Sequence, residues 1–408
     1  MPLSMAAQAM APSMPPSADL LASLANIAQR TDSAITNAGL LSVLLQGSKL
    51  PDIYVQPEPD RPTKAHDMPC DLGEELELPV VDLSLLTSGD KSTRERTLFT
   101  IVKACERWGF LQVVNHGVDL DLIERCEAEA HQLFQLPVTT KENALRKPGA
   151  FFGYGANFWV NLPAMNWAES FHVNKYNVEE YAAKLWPSDY QKFSTTVREY
   201  VSQLESLATR IRHILTEGLG LPSNKFDKHF EEESFASLRM NFYPLCPEPS
   251  KALGQKAHRD PHFLTILHQD ATGGLQIWDD ARNEWYNVKP NPESFIINIG
   301  DVFQAASNGQ YKSVLHRAVV NSYKTRLSMA CFFNTGAKLV APAELITPEN
   351  PQKYKPFTWK EYIARAYTYI TGTVSQLDEL YSLPVSSPVN SEGRQSNVSP
   401  SDRAGQKS

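Results

Sequence analysis

Apolar residues recur at helical spacing in three stretches of the first half of the chain. Leu98, Ile101, Val102, Cys105 and Trp108 form one stripe, since positions three and four apart share a helix face. Ser92 and Glu95 just upstream match a Ser-x-x-Glu capping box, which predicts the start of that helix. A second stripe runs through Leu122, Ile123, Cys126, Ala130, Leu133 and Phe134 and stops at Pro137. A third joins Phe193, Val197, Val201, Leu204, Leu207, Ile211 and Leu215, and Gly218 and Gly220 close it, as glycines do at helix C-termini. Between the stripes, Leu78 to Leu83 and Phe110 to Val118 (FLQVVNHGV) predict short strands.

From about residue 235 the period changes. Short runs (SLRMNFYPL, FLTILHQD, GGLQIW, EWYNVKP, SFIINIGD, SVLHRAVV, RLSMACFF) alternate with Gly, Asn and Pro. Regular short strands of this kind predict a sandwich or barrel. The expected organisation is a Met/Ala/Pro/Ser-rich disordered start at 1–17, a mostly helical region at 18–230 and a β domain at 231–340. A C-terminal helix region follows at 341–383, with its helix near Trp359–Tyr369, and then a polar, disordered tail at 384–408.

Composition narrows the function classes. With 408 residues and 42 % hydrophobic content the chain can bury a sizeable core. A net charge of −7 and the lack of a basic stripe argue against nucleic acid as a partner. No stretch approaches the ~18 apolar residues of a membrane span. The five cysteines are scattered without a C-x-x-C, which suits a reducing compartment. No basic residue precedes Arg30, so neither a secretory signal nor an Arg-rich transit peptide is expected. A cytoplasmic, monomeric protein is expected, with nuclear presence compatible.

The densest chemistry lies in HRDPHFLTILHQD, residues 258–270, which holds three of the ten histidines. His258 and Asp260 are two apart, so in extended chain they leave the same face. His316, in the apolar run SVLHRAVV, is the best third ligand, because an unpaired buried imidazole is costly. His262 also has permissible spacing, but Pro261 redirects the chain; it reads as a pocket-rim residue. His268, at the far end of the run, reads as structural. Two imidazoles and a carboxylate leave open positions, as in non-haem Fe(II) oxygenases; a structural zinc site would be closed and usually thiolate-rich. Arg326 and Ser328 share a strand face ten residues beyond His316. A guanidinium fork and a hydroxyl suit a dicarboxylate co-substrate, and Tyr243 is placed to assist.

Taken in order, LRMNFYPLCPEP, HRDPHFLTILHQDATGGLQIW, WYNVKPNPESFIINIGDVFQAASNGQYKSVLHRAVVN and RLSMACFF resemble the plant-type 2-oxoglutarate- and Fe(II)-dependent dioxygenases. That family includes isopenicillin N synthase, the flavonoid oxygenases and the gibberellin oxidases. LPDIYVQPEPDRP, LPVVDLSLL and KACERWGFLQVVNHGV resemble its N-terminal half. The resemblance implies an α+β fold dominated by a double-stranded β-helix (a distorted jelly roll) with flanking N-terminal helices. It implies Fe(II) on His258, Asp260 and His316, with 2-oxoglutarate on Arg326, Ser328, Tyr243 and Asn241. O2 would be the second co-substrate and ascorbate the reductant. Arg259 departs from the small polar residues usual inside the H-x-D motif; its side chain is expected to point away from the metal.

LTILHQDATGGLQIW, NIGDVFQAASNGQYKSVLHRAVVNS and NWAESFHV look most like the gibberellin oxidases. The implied substrate is a diterpenoid acid of the gibberellin or ent-kaurenoic type. A flavonoid or other specialised metabolite, or a catalytically silent binding role, are the alternatives. The aromatic stretch from Phe151 to Val173 offers a wall for such a ligand: Phe151, Tyr154, Phe158, Trp159 and Trp167, with His262 and Phe332 beside them.

Overall fold

A computed structural model describes residues 49–62, 75–76, 78–147, 150–155, 164–231, 234–339, 341–366 and 376–383. Both predicted disordered ends, and Phe158 and Trp159, lie outside these residues. In chain order the strands and helices are β1 (Glu75–Leu76), β2 (Val80–Asp82), α1 (Lys91–Arg107), β3 (Phe110–Val114), α2 (Leu120–Gln135) and α3 (Val138–Lys141). Next come β4 (Gly153–Tyr154), β5 (Glu169–Val173), α4 (Val178–Leu185), α5 (Tyr190–Gly218), β6 (Phe235–Tyr243), β7 (Gln255–His258), β8 (Leu264–Gln269), β9 (Leu275–Asp279) and β10 (Glu284–Val288). They are followed by β11 (Phe295–Ile299), α6 (Asp301–Ala306), β12 (His316–Ala318), β13 (Arg326–Asn334), β14 (Lys338–Leu339), β15 (Phe357–Thr358), α7 (Trp359–Ala366) and α8 (Gln376–Tyr381). Among the described residues no helix is long and apolar enough to cross a membrane.

Two sheets carry the fold. One has the order β1-β10-β9-β12-β7, the other β2-β3-β11-β8-β13-β6-β5-β4. This is a double-stranded β-helix with the helices of the first half packed on the larger sheet. Strand alternation explains the arrangement. On β13, Leu327, Met329 and Cys331 point into the core shared with Leu204, Leu207 and Ile211 of α5 and Cys126 and Leu133 of α2. The intervening Arg326, Ser328, Ala330 and Phe332 face the cavity between the sheets. On β6, Leu238 and Met240 face the core, while Arg239, Asn241 and Tyr243 face the cavity. A period of two thus sorts one sheet into an apolar side against helices and a polar side toward a site.

Two local expectations need correction. Helix α1 is capped by Asp90, whose carboxylate accepts from the amides of Ser92 and Thr93 at 3.1 Å each. Ser92 therefore lies inside the first turn, and Glu95 pairs with Lys91 at 3.7 Å instead of closing a capping box. Asp is as good an N-cap as Ser, so the upstream residue took the role. The second correction is the five-residue strand β5 inside the stretch read only as an aromatic wall; its hydrogen bonds to β6 extend the large sheet.

Candidate metal centre and co-substrate pocket

His258 ends β7 and His316 opens β12, and the two are direct cross-strand partners. That register brings their ring centroids to 4.2 Å. Each ring is held from behind: Nδ1 of His258 lies 2.7 Å from the Lys256 carbonyl, and Nδ1 of His316 lies 3.1 Å from that of Val314. A carbonyl only accepts, so both Nδ1 atoms carry the proton and both Nε2 lone pairs are free for a metal.

Asp260 stands two residues past the end of β7, so it arrives by a turn of the chain rather than by strand alternation. Its Oδ2 accepts from Thr265 Oγ1 at 2.6 Å and from Asn298 Nδ2 at 2.7 Å. Its Oδ1 lies 3.6 Å from Nε2 of His258 and 3.7 Å from Nε2 of His316. The three donor atoms lie within 4.8 Å of one another. Burial, reinforced by the neighbouring His316, pushes the His258 imidazole down to about 4. Burial would raise the Asp260 carboxyl, but His316 and His258 outweigh it and hold it at about 2. At neutral pH the set is thus a neutral imidazole with a free lone pair and an anionic carboxylate, and its N2O composition fits Fe(II).

The loop carrying Asp260 is clamped by the next strand connection. The amides of Asp301 and Val302 donate to the Asp260 and His262 carbonyls at 2.8 and 3.2 Å. Gly300 packs so closely on the His262 carbonyl that a Cβ there would overlap it, which is the reason for a glycine at that position. Arg259 turns away from the triad and donates to the Ser313 carbonyl. His262 is not among the metal-facing donors. It is buried rather than placed at a rim, with Nδ1 2.8 Å from Asn334 Oδ1 and its ring 4.4 Å from that of Phe332. His268 points to the helical side and meets Glu127 at 2.9 Å.

The cavity that holds the triad is also lined by Arg326. Arg326 is 3 % exposed, yet its polar partners are neutral: Gln269 Oε1 at 3.0 Å and Ser328 Oγ at 3.4 Å. It also lies 4.7 Å from the Tyr243 ring centroid. Asn241 reaches Ser328 Oγ at 3.5 Å. Register explains the grouping, because Arg326 pairs with Tyr243 and Ser328 pairs with Asn241 and Gln269. A buried guanidinium among neutral groups is an expensive arrangement that a carboxylate would complete.

The substrate-wall residues divide. Phe332 lines the cavity; Phe151 is not among the lining residues and packs 5.5 Å from the His172 ring, which in turn lies 6.3 Å from that of Phe332. Tyr154 does not face the cavity. It pairs with Phe171 on the core side of β5, and its phenol donates to Glu169 at 2.5 Å. Trp167 is also a core residue: it packs edge-on against Tyr54 and donates to the Pro244 carbonyl at 3.0 Å. Large aromatics carry the same sequence signal whether they fill a seam or line a pocket. Thr265, Asn298 and Gln269 were missed. A signal existed for Asn298, the one polar residue in the run FIINI, since a buried amide must find a partner.

Comparison with known proteins agrees with this geometry. Residues 234–335 match the family model described as the 2OG-Fe(II) oxygenase superfamily. Residues 78–189 match the model for the N-terminal region of non-haem dioxygenases in morphine synthesis. Jasmonate-induced oxygenase 2 of Arabidopsis thaliana is 38 % identical over 322 residues, 77 % of this chain and 85 % of that protein. Gibberellin 20 oxidase 3 of Arabidopsis thaliana is 33 % identical over 363 residues, 86 % of this chain and 92 % of that one. A crystal structure of JOX2 in complex with 2OG, Fe and JA superposes with a TM-score of 0.73 at 34 % identity, covering 84 % of this chain and 97 % of that one.

Proposed function

Because the chain belongs to the 2-oxoglutarate/Fe(II) oxygenase superfamily, we propose that it oxidises a small, apolar plant carboxylic acid, a diterpenoid acid of the gibberellin or ent-kaurenoic type. The observation that carries the reaction class is the convergence of His258 Nε2, His316 Nε2 and Asp260 Oδ1 beside the buried Arg326. The substrate class is supported by similarity to gibberellin 20 oxidases, which extends over most of both chains. A second reading, a jasmonate-type acid, is supported by the similarity to jasmonate-induced oxygenase 2 and to the structure holding JA.

His258, Asp260 and His316 would hold Fe(II), which together with 2-oxoglutarate and O2 supplies oxidative decarboxylation to succinate and CO2 coupled to oxidation of a substrate C–H bond. Arg326 and Ser328 would grip the distal carboxylate of 2-oxoglutarate, with Tyr243 and Asn241 bracing that pair. Thr265 and Asn298 keep Oδ1 of Asp260 turned toward the two imidazoles. The apolar walls, including Phe332, exclude water and aim the substrate carbon.

The test is incubation of the purified protein with Fe(II), 2-oxoglutarate, ascorbate and a panel of gibberellin, ent-kaurenoic and jasmonic acids, read by mass spectrometry and succinate release. A diterpenoid acid gaining oxygen in step with succinate is the expected result. Turnover of jasmonic acid alone would move the assignment to the second reading. Absence of acid-stimulated succinate release across the panel would refute both.

A further inference from the structure

Two glycines of the smaller sheet lie against the Arg326–Tyr243 pair of the larger one. Gly254 immediately precedes β7 and Gly274 immediately precedes β9, and these strands flank β12 on either side. The Gly254 amide donates to the Ala318 carbonyl at 2.8 Å, and the Gly274 carbonyl accepts from the Val319 amide at 2.9 Å. Consecutive residues at the end of β12 therefore hold both glycines. A Cβ on Gly274 would lie 3.5 Å from Cδ of Arg326, although its φ of +95° already calls for glycine. Gly254 is outside the left-handed region, so space alone excludes a side chain there. A Cβ on Gly254 would lie 2.5 Å from Cδ1 and 2.8 Å from Cε1 of the Tyr243 ring, with Val320 Cγ1 at 3.0 Å.

Trp167 fastens the two halves of this contact. Its amide donates to the carbonyl of Leu253, next to Gly254, at 2.8 Å. Its indole Nε1 donates to the carbonyl of Pro244, next to Tyr243, at 3.0 Å. Tyr243 and Trp167 also share one apolar cluster with Tyr54 and Ala318. The Tyr243 ring in turn carries the Arg326 guanidinium, 4.7 Å from its centroid, as a cation sits against an aromatic ring. Gln269 and Ser328 hold that guanidinium from its own sheet. Only through Tyr243 and Gly274 does the sheet that bears His258 and His316 take part in placing it. We propose that Gly254 and Trp167 are positioning residues for the co-substrate: they set the Tyr243 ring, and through it the Arg326 guanidinium, at a fixed place relative to the metal triad. This rests on the oxygenase reading above, with Arg326 as the seat of the distal carboxylate of 2-oxoglutarate. It adds two residues that are not among those lining the cavity.

Binding tests this without turnover. Calorimetry on the full-length protein, loaded with Mn(II) under anaerobic conditions, follows titration with 2-oxoglutarate. Gly254→Ala should weaken that binding about ten- to a hundredfold, the scale of one misplaced hydrogen bond to a charged group. Trp167→Phe keeps a ring but loses the bond to Pro244, and should weaken it about two- to tenfold. Affinity for Mn(II) without 2-oxoglutarate should stay at the wild-type value in both. In the Tyr243→Ala background the ring is gone, so adding Gly254→Ala should change 2-oxoglutarate affinity by about twofold at most. A residue with a merely structural role would show no such dependence on Tyr243. Thermal melts establish that each variant is folded. If Gly254→Ala alone does not fold, Trp167→Phe and the double variant carry the test, and a double variant that also stays unfolded would overturn the proposal. Wild-type 2-oxoglutarate affinity in folded Gly254→Ala, equal losses of Mn(II) and 2-oxoglutarate binding, or an undiminished effect in the Tyr243→Ala background would overturn it as well. In each of those cases the wild-type protein still binds 2-oxoglutarate and the oxygenase reading stands; no binding by the wild type would bring down both.

Discussion

Asn298 donates its side-chain amide to Oδ2 of Asp260 at 2.7 Å, and this bond decides which oxygen of the carboxylate is left for a metal. Thr265 donates to the same oxygen at 2.6 Å. With Oδ2 doubly occupied, Oδ1 alone faces Nε2 of His258 and His316. Partners behind a ligand typically contribute 10- to 100-fold to metal affinity. Asn298→Ala should therefore weaken Mn(II) or Fe(II) binding by about that factor, with Thr265→Val having a similar effect. Anaerobic metal titration measures this directly. Wild-type affinity in the Asn298 variant would show that the carboxylate orients itself.

Arg326 presents the counterpart at the other end of the pocket. It is buried among Gln269, Ser328 and the Tyr243 ring, so a bound carboxylate would be its one anionic partner there. A charge-assisted hydrogen bond contributes about 1.5–3 kcal/mol. Arg326→Ala should raise the apparent KM for 2-oxoglutarate at least about tenfold, with much less effect on the KM of the primary substrate. Arg326→Lys keeps the charge but loses the planar fork and should fall between the two. Initial rates with each co-substrate varied in turn distinguish these outcomes. Equal shifts in both constants would remove Arg326 from the co-substrate site.

How far the sequence reached can be read from particular residues. His316 was legible because an imidazole in an apolar strand needs a reason, and the register with His258 supplied one. That Arg326 and Ser328 share a face was legible because a period of two puts both there, and that face is the one toward the cavity. Tyr154 and Trp167 were misread: an aromatic ring gives the same signal in a seam and in a pocket, and here strand pairing put Tyr154 in the core while packing on Tyr54 put Trp167 there. The Asp260 partners come from strands β8 and β11, five and 38 residues downstream, and only the pairing of β8 with β11 brings them to one oxygen. Such juxtaposition belongs to topology rather than to any local pattern.

The strand pairing that extends the sheet toward His172 is anchored by a buried ion pair. Lys141 Nζ lies 2.7 Å from Glu169 Oε2, with side-chain exposures of 2 % and 3 %, and the phenol of Tyr154 donates to the same oxygen at 2.5 Å. Removing one member of such a buried pair costs about 3–5 kcal/mol, although Lys141 keeps its bond to the Phe134 carbonyl. Glu169→Ala should lower stability by that amount, while Glu169→Gln, which can still accept from Tyr154, should lose less. Urea denaturation of the two variants tests the order. A Glu169→Ala protein as stable as wild type would mean that solvent reaches Lys141.

The contact between α2 and the large sheet should give the protein an acid-sensitive joint. Glu127 on α2 meets His268 of β8 at 2.9 Å and His131, one turn along its own helix, at 3.8 Å. Its hydrogen bonds to His131 and His268 outweigh partial burial and bring the carboxyl down to about 2. The same contact raises the His131 imidazole. A depressed carboxylate contributes stability that is fully present above its unfolded value of about 4.3 and is lost as pH falls through its folded value. A raised imidazole contributes below its unfolded value of about 6.5 and loses that contribution as pH rises through its folded value. Glu127→Gln removes both effects. The stability difference between wild type and variant should therefore be largest near pH 5. It should shrink as pH falls from 4 toward 2, and shrink again as pH rises beyond the range where His131 holds its proton. Urea midpoints measured from pH 3 to pH 8 trace that curve. A difference that stays constant across the range would mean that Glu127 contributes through neutral hydrogen bonds or packing rather than through its charge.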